Sequence, residues 1–207
     1  MKKILISLTI IAMVMSIGPV GAQGPQQPQR FRNEVSAGAG VLSNSDILNF
    51  ATNVVISTIT LTAYTSRNMH WTGTFHASYK NMISKHSAIG GTLAYCGNTA
   101  DAYAGNTMKG RFHNNYYTMA AEYDLRYINK PIFNLYSTIG LGATIYHLSY
   151  KPLSGSDNDA SATSGTMGYF DFQLSLLGFR VGNRFGAFGE LGVGYKGILN
   201  GGIFMRF

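Results

Sequence analysis

Tyr117-Thr118-Met119-Ala120-Ala121-Glu122-Tyr123-Asp124-Leu125-Arg126-Tyr127 alternates without a break. In an extended chain Tyr117, Met119, Ala121, Tyr123, Leu125 and Tyr127 share one face, and Thr118, Ala120, Glu122, Asp124 and Arg126 share the other. The next stretch repeats the rhythm. Phe133, Leu135, Ile139, Leu141, Ala143 and Ile145 oppose Asn134, Tyr136, Thr138, Gly140, Gly142 and Thr144. Polar residues and glycine travel together. A soluble sheet would turn the oily face inward, whereas a narrow barrel in a membrane would turn it out and use glycine and paired polar groups inside.

Working outward from this pair, the same alternation runs through Phe185–Tyr195 and Leu199–Phe207 and returns upstream. Eight strands are expected, at 33–42, 71–81, 85–96, 112–127, 132–150, 168–181, 184–196 and 198–207. The gaps at 43–70, 97–111 and 151–167 are long. Those at Met82-Ile83-Ser84, Ile128-Asn129-Lys130-Pro131 and Gly182-Asn183 are short and carry turn-favouring residues. Long and short connections alternate, as they do in outer-membrane barrels, and only the short break around Gly197 departs from the rule. An even strand count also returns both termini to one side. The expected fold is all-β, an eight-stranded antiparallel up-and-down transmembrane β-barrel over 33–207. Between Ser45 and Ile59 the apolar residues follow helical spacing, which predicts a short amphipathic helix in the first long loop. Ile59, Leu61 and Ala63 then alternate with Thr60, Thr62 and Tyr64, so an extension of the second strand or an extra hairpin arm both remain open.

The N-terminus sets the compartment. Lys2 and Lys3 precede an apolar run from Ile4 to about Ile17, and Val20 and Ala22 occupy the −3 and −1 positions of a cut after Ala22. This predicts a signal peptide over 1–22, because ~14 apolar residues fall short of the ~20 that span a bilayer. No cysteine follows the cut to take a lipid. Residues 23–32, with Pro25 and Pro28 among glutamines, read as a flexible lead-in. Past the signal no stretch approaches a helical membrane span.

Composition agrees. Charged residues are scarce at 12%, aromatics reach 13% and there are 25 glycines, an unusual mixture for a soluble domain. The 16 Lys and Arg, less the two in the signal, leave 14 against nine acids, a mature charge of +5. They are scattered rather than gathered in a stripe, which argues against nucleic acid. Cys96 is the only cysteine, so neither an internal disulfide nor a multi-cysteine metal site is available. Tyr79, Tyr95, Tyr117, Tyr127, Tyr150, Tyr169, Tyr195 and Trp71 suit interfacial aromatic girdles.

If the oily face looks outward, the interior receives Glu34, His76, Lys80, Glu122, Asp124, Arg126, Asp171, Glu190 and Arg206, a large share of the few charges. They are expected to pair, because an unpaired charge in a narrow interior is costly. Such a network plugs the barrel or, alternatively, lines a narrow pore. His70, His86, His113 and His147 are candidate general bases, with Ser149 on the face of His147, but the nearest acids, Asp157 and Asp159, lie in a loop. No histidine pair stands at i,i+4 and no Cys/His pattern occurs, so no metal or other cofactor is expected.

The Gly-rich Val35-Ser36-Ala37-Gly38-Ala39-Gly40, the segment Gly189-Glu190-Leu191-Gly192-Val193-Gly194-Tyr195 and the terminal Phe207 carry a family resemblance. The chain resembles the small outer-membrane β-barrel family that includes OmpX and the membrane domain of OmpA, in a Bacteroidetes-type form, over nearly all of 33–207. The resemblance implies an outer-membrane protein of a Gram-negative bacterium, in contact with outer-membrane lipid and lipopolysaccharide. It also implies that Phe207, with Met205 and Ile203 on its face, is part of the signal read by the barrel-assembly machinery. The long first loop departs from the family's better-known members, and fold alone assigns no ligand. The reading is a non-enzymatic integral outer-membrane barrel with an envelope-structural or loop-mediated interaction role. Its rivals are the narrow pore, a soluble exported carrier of lipocalin type, and a barrel enzyme acting on lipid, lipopolysaccharide or peptide.

Overall fold

The computed structural model describes residues 31–45, 65–104, 107–153 and 163–207. Eight antiparallel strands, β1 (Asn33–Val41), β2 (Thr65–Met82), β3 (Ser87–Ala104), β4 (Thr107–Asn129), β5 (Phe133–Pro152), β6 (Thr163–Gly182), β7 (Phe185–Gly194) and β8 (Leu199–Arg206), pair in sequence order. β1 also pairs with β8, which closes the barrel. The seam is tied at its end by two backbone bonds of 2.9 Å, Asn33 N–H to Phe207 O and Phe207 N–H to Asn33 O. Closure satisfies the ladder groups that an open sheet leaves bare on its edges.

Strand number, order and the three short turns agree with the sequence reading, but strand lengths do not. The expected loop at 97–111 is largely strand, since β3 and β4 stay paired out to Ala104 and Thr107. Its Gly, Asn and Asp residues read as a turn cluster, yet cross-strand contacts hold it extended, among them Arg111 Nε to Asp101 Oδ1 at 2.8 Å. β2 and β6 likewise begin at Thr65 and Thr163, earlier than expected. β7 stops at Gly194 rather than at residue 196. The ladders of β1 and β7 end at Gly40–Thr74 and Gly194–Gln173, so β2–β6 project beyond the complete ring at the end away from the short turns. Asn44 and Ser45 have helical backbone. They form no helical element, and the stretch after Ser45 for which a helix is expected, the segment 46–64, the signal peptide and nearly all of the lead-in 23–32 lie outside the described residues.

The faces of the strands are now fixed. Leu141, Leu191 and Ile203 are 55%, 49% and 69% exposed, while Glu122 and Glu190 are each 2% exposed. Among the described residues no leucine, isoleucine, valine or methionine is buried, and the buried apolar residues are five alanines, Cys96 and five aromatics, Tyr116, Tyr136, Phe188, Tyr195 and Phe204. This is the reverse of the lipocalin-type arrangement, which needs the oily side chains within. Alternation is not perfect. Between Ser175 and Leu177 the β6 register slips, Leu176 and Leu177 both point outward, and the inward set passes from Asp171, Gln173 and Ser175 to Gly178 and Arg180.

Candidate functional site: the charged interior

The inward face of each strand delivers its polar residues to one lumen. Among the described residues five acids (Glu34, Glu122, Asp124, Asp171, Glu190) and five bases (Lys80, Arg126, Arg180, Lys196, Arg206) are buried there, and their charges balance. Towards the short-turn end, Glu34 on β1 meets Arg180 Nε at 3.0 Å, Arg206 Nε at 2.9 Å and Arg126 Nη2 at 3.5 Å. Asp124 on β4 accepts from Lys80 Nζ at 2.6 Å, Thr138 Oγ1 at 2.7 Å and Arg180 Nη1 at 3.3 Å. Arg206 also donates to the Asn134 side chain. The Arg180 guanidinium lies 3.8 Å from the centre of the Tyr136 ring, a cation–π contact in a desolvated setting.

One level further along the barrel, Glu122 bridges two lysines, Lys80 Nζ at 2.9 Å and Lys196 Nζ at 2.7 Å. Tyr195 also donates its hydroxyl to Glu122 Oε1 at 2.7 Å. Glu190 accepts from Tyr136 at 2.7 Å and Ser175 at 2.9 Å, with Lys196 Nζ at 3.8 Å. The two levels share Lys80, so the cluster is one network. Every carboxylate in it has at least two donors or cations, the condition under which buried charges are tolerable.

Tyr195 and Lys196 reach this place through a turn. Gly194 and Gly197 have positive φ of 142° and 100°, and the turn closes with Gly197 N–H to Gly194 O at 3.1 Å. It packs directly on β1. A Cβ on Gly40 would stand 1.8 Å from Lys196 O, so only glycine admits the approach. Tyr195→Phe removes a hydrogen bond to a buried carboxylate and is expected to lower unfolding stability by about 1.5–3 kcal/mol. Urea titration of the detergent-refolded protein measures it, and an unchanged midpoint would remove Tyr195 from the network.

No protein-family model matches the chain, and no curated protein matches it. Among solved structures it is similar to the N-terminal β-barrel domain of OprF from Pseudomonas aeruginosa. The TM-score is 0.42 and the identity 13%, over 86% of this chain and 98% of that one.

Of the nine interior residues expected from sequence, Glu34, Lys80, Glu122, Asp124, Arg126, Glu190 and Arg206 join the ion-pair network. His76 is buried but stands apart: neither ring nitrogen has a hydrogen-bond partner among the described residues, and its ring lies 6.0 Å from that of Phe188. Asp171 is buried without an ion pair among the described residues, where its partners are Thr144, Asn44 and the Phe172 amide. Arg180 and Lys196 escaped the sequence reading. A signal for both was present, because the expected set held five acids against three fixed bases and so lacked two cations. Tyr195 is a correction: it is buried on Glu122, because β7 ends one residue before it and the turn swings it inward. Tyr95, Tyr117 and Tyr127 are exposed, as a girdle requires, and Tyr79, Tyr150 and Tyr169 are half-buried.

Of the remaining candidates, the structure brings His113, His147 and Ser149 to neighbouring positions on the β4–β5 ladder and leaves His70 and His86 elsewhere. His70 and His147 are exposed, and His147 Nδ1 lies 3.0 Å from Thr166 Oγ1. His86 Nδ1 is 2.9 Å from the Arg126 carbonyl. His113 sits opposite Ser149 across the β4–β5 ladder. Asp157 and Asp159 lie outside the described residues. Among the described residues no group of three His, Cys, Asp or Glu is placed to hold a metal ion. Phe207 is exposed beside Asn33.

Proposed function

We propose that the chain is a non-enzymatic integral outer-membrane β-barrel of the OmpX and OmpA-domain type, whose plugged interior suits an envelope-structural or loop-mediated role. The observation that carries this reading is the inverted orientation: exposed leucine, isoleucine and phenylalanine around the ring, and balanced charges within it. In water such a surface is a severe aggregation liability, whereas hydrocarbon accepts it. The run Tyr117 to Tyr127 on β4, oily on its outer face and bracketed by exposed tyrosines, fits the ~9–11 residues a tilted strand needs to cross. Ten paired or hydrogen-bonded charged side chains, with Tyr136 and Tyr195 among them, fill a lumen that eight strands leave barely wide enough for side chains. This favours a plug over a conducting pore. Lipid and lipopolysaccharide are the implied surroundings, and Phe207 is the residue we assign to recognition by the assembly machinery.

The test is extraction and gel migration. Protein refolded in detergent is expected to partition with the detergent and to run at a different apparent mass before and after boiling, because a closed barrel resists unfolding by the gel detergent. Identical migration together with recovery in the aqueous phase would remove the membrane reading.

A further inference from the structure

Leaving β1, the chain does not run on along the barrel wall. Leu42 has φ of 58°, the one non-glycine residue with positive φ among those described, and such a conformation in a branched residue needs surroundings that hold it. After it Ser43 and Ser45 are buried. Ser43 Oγ lies 3.9 Å from Cys96 Sγ on β3. Asn44 Nδ2 donates to Asp171 Oδ1 on β6 at 2.9 Å, and Ser45 Oγ stands 3.3 Å from the Tyr169 hydroxyl of β6. Neither β3 nor β6 is a neighbour of β1 in the sheet, so these contacts cross the lumen. Their level is the rim of the complete ring: Cys96 pairs with Thr74, which faces Gly40, and Asp171 lies just past Gln173, where the β7 ladder ends.

We propose that Leu42–Ser45 is a strap that shuts the loop end of the lumen, and that Asp171 is its latch. The strap stands apart from the membrane assignment, because it needs only the closed ring and these contacts. Asp171 is the buried acid with no ion pair among the described residues; one carboxylate oxygen takes the Thr144 hydroxyl at 2.8 Å and the other the Asn44 amide and the Phe172 N–H. Its charge is spent on positioning the strap, through the stronger class of hydrogen bond. Releasing the latch exposes the polar floor beneath, where Cys96 is buried under Ser43.

Cys96, the sole cysteine in the sequence, reports on the strap without any added label site. The full chain, refolded in detergent, is treated with a small charged methanethiosulfonate, and the rate of Cys96 modification is compared with that of the urea-unfolded protein. Wild-type protein is expected to react far more slowly than the unfolded chain. Asn44→Ala, which leaves the wall of the barrel intact, and Asp171→Ala are each expected to raise the folded-state rate about tenfold or more, the weight of one hydrogen bond to a charged group. The double variant should exceed neither single by much, since both open the same latch. Heat-dependent gel migration of each variant confirms that the ring is still closed. Wild-type Cys96 reacting at the unfolded rate, or a folded Asn44→Ala reacting at the wild-type rate, would overturn the strap. Neither result touches the partition test of the membrane reading.

Discussion

Glu122→Ala is expected to cost about 3–5 kcal/mol of unfolding free energy, the range for removing one partner from a buried ion pair. The size follows from what remains. Lys80 keeps Asp124 at 2.6 Å, but Lys196 loses its contact at 2.7 Å and retains only Glu190 at 3.8 Å. Tyr195 is left with a buried hydroxyl and no acceptor at its former position. Among the described residues the interior then holds five bases against four acids. Urea titration of the refolded protein in detergent or lipid measures the loss. Replacing Glu122 and Lys196 together by apolar residues of similar volume should cost less than the single change, because Lys80 keeps Asp124 and the described interior stays balanced at four acids against four bases. A single variant within about 1 kcal/mol of wild type would mean that pairing at Glu122 contributes little and that water already fills the lumen.

The same residue shows how far the amino-acid sequence could be read. Alternation around Glu122 places it opposite Tyr123 and Met119, and once the oily face is sent outward its burial follows. That logic is local, and it fails where the period breaks. Arg180 lies nine residues beyond Asp171, and strict alternation puts the two on opposite faces; the slip after Ser175 returns Arg180 to the interior. A single extra residue in a strand leaves no mark in composition. Tyr195 continues the outward set of β7 by count, but the positive φ of Gly194 ends the strand beneath it. The stretch 97–111 fails for another reason: Asn98, Asp101 and Gly110 are poor strand formers singly, and they are held by partners on the neighbouring strand that only the ladder supplies. Asp171 joins Asn44 across 127 residues, a contact no periodicity encodes. Charge balance carries information that periodicity lacks. Within a narrow lumen it constrains residues on all eight strands at once, which alternation along one strand cannot do.

Leu141→Arg tests the outer face as Glu122→Ala tests the inner one. Leu141 sits in the middle of the exposed β5 series that includes Ile139 and Ile145, opposite Ala121 on β4 and Phe172 on β6. If that series meets hydrocarbon, an arginine there is expected to cost about 2–4 kcal/mol in a lipid bilayer, the cost of a cation near the midplane. Thr166, on the projecting end of β6, lies beyond the ring, and Thr166→Arg should cost no more than about 1 kcal/mol. The contrast between the two positions is the informative quantity, because a general penalty for arginine on a strand would strike both. It separates the readings cleanly: in an aqueous carrier an exposed Leu141→Arg would be neutral or helpful, whereas in a membrane barrel the penalty depends on depth. Equal stability of the two variants in bilayers would show that lipid does not contact Leu141, and the inverted arrangement of oily and charged side chains would then need a different surrounding medium to explain it.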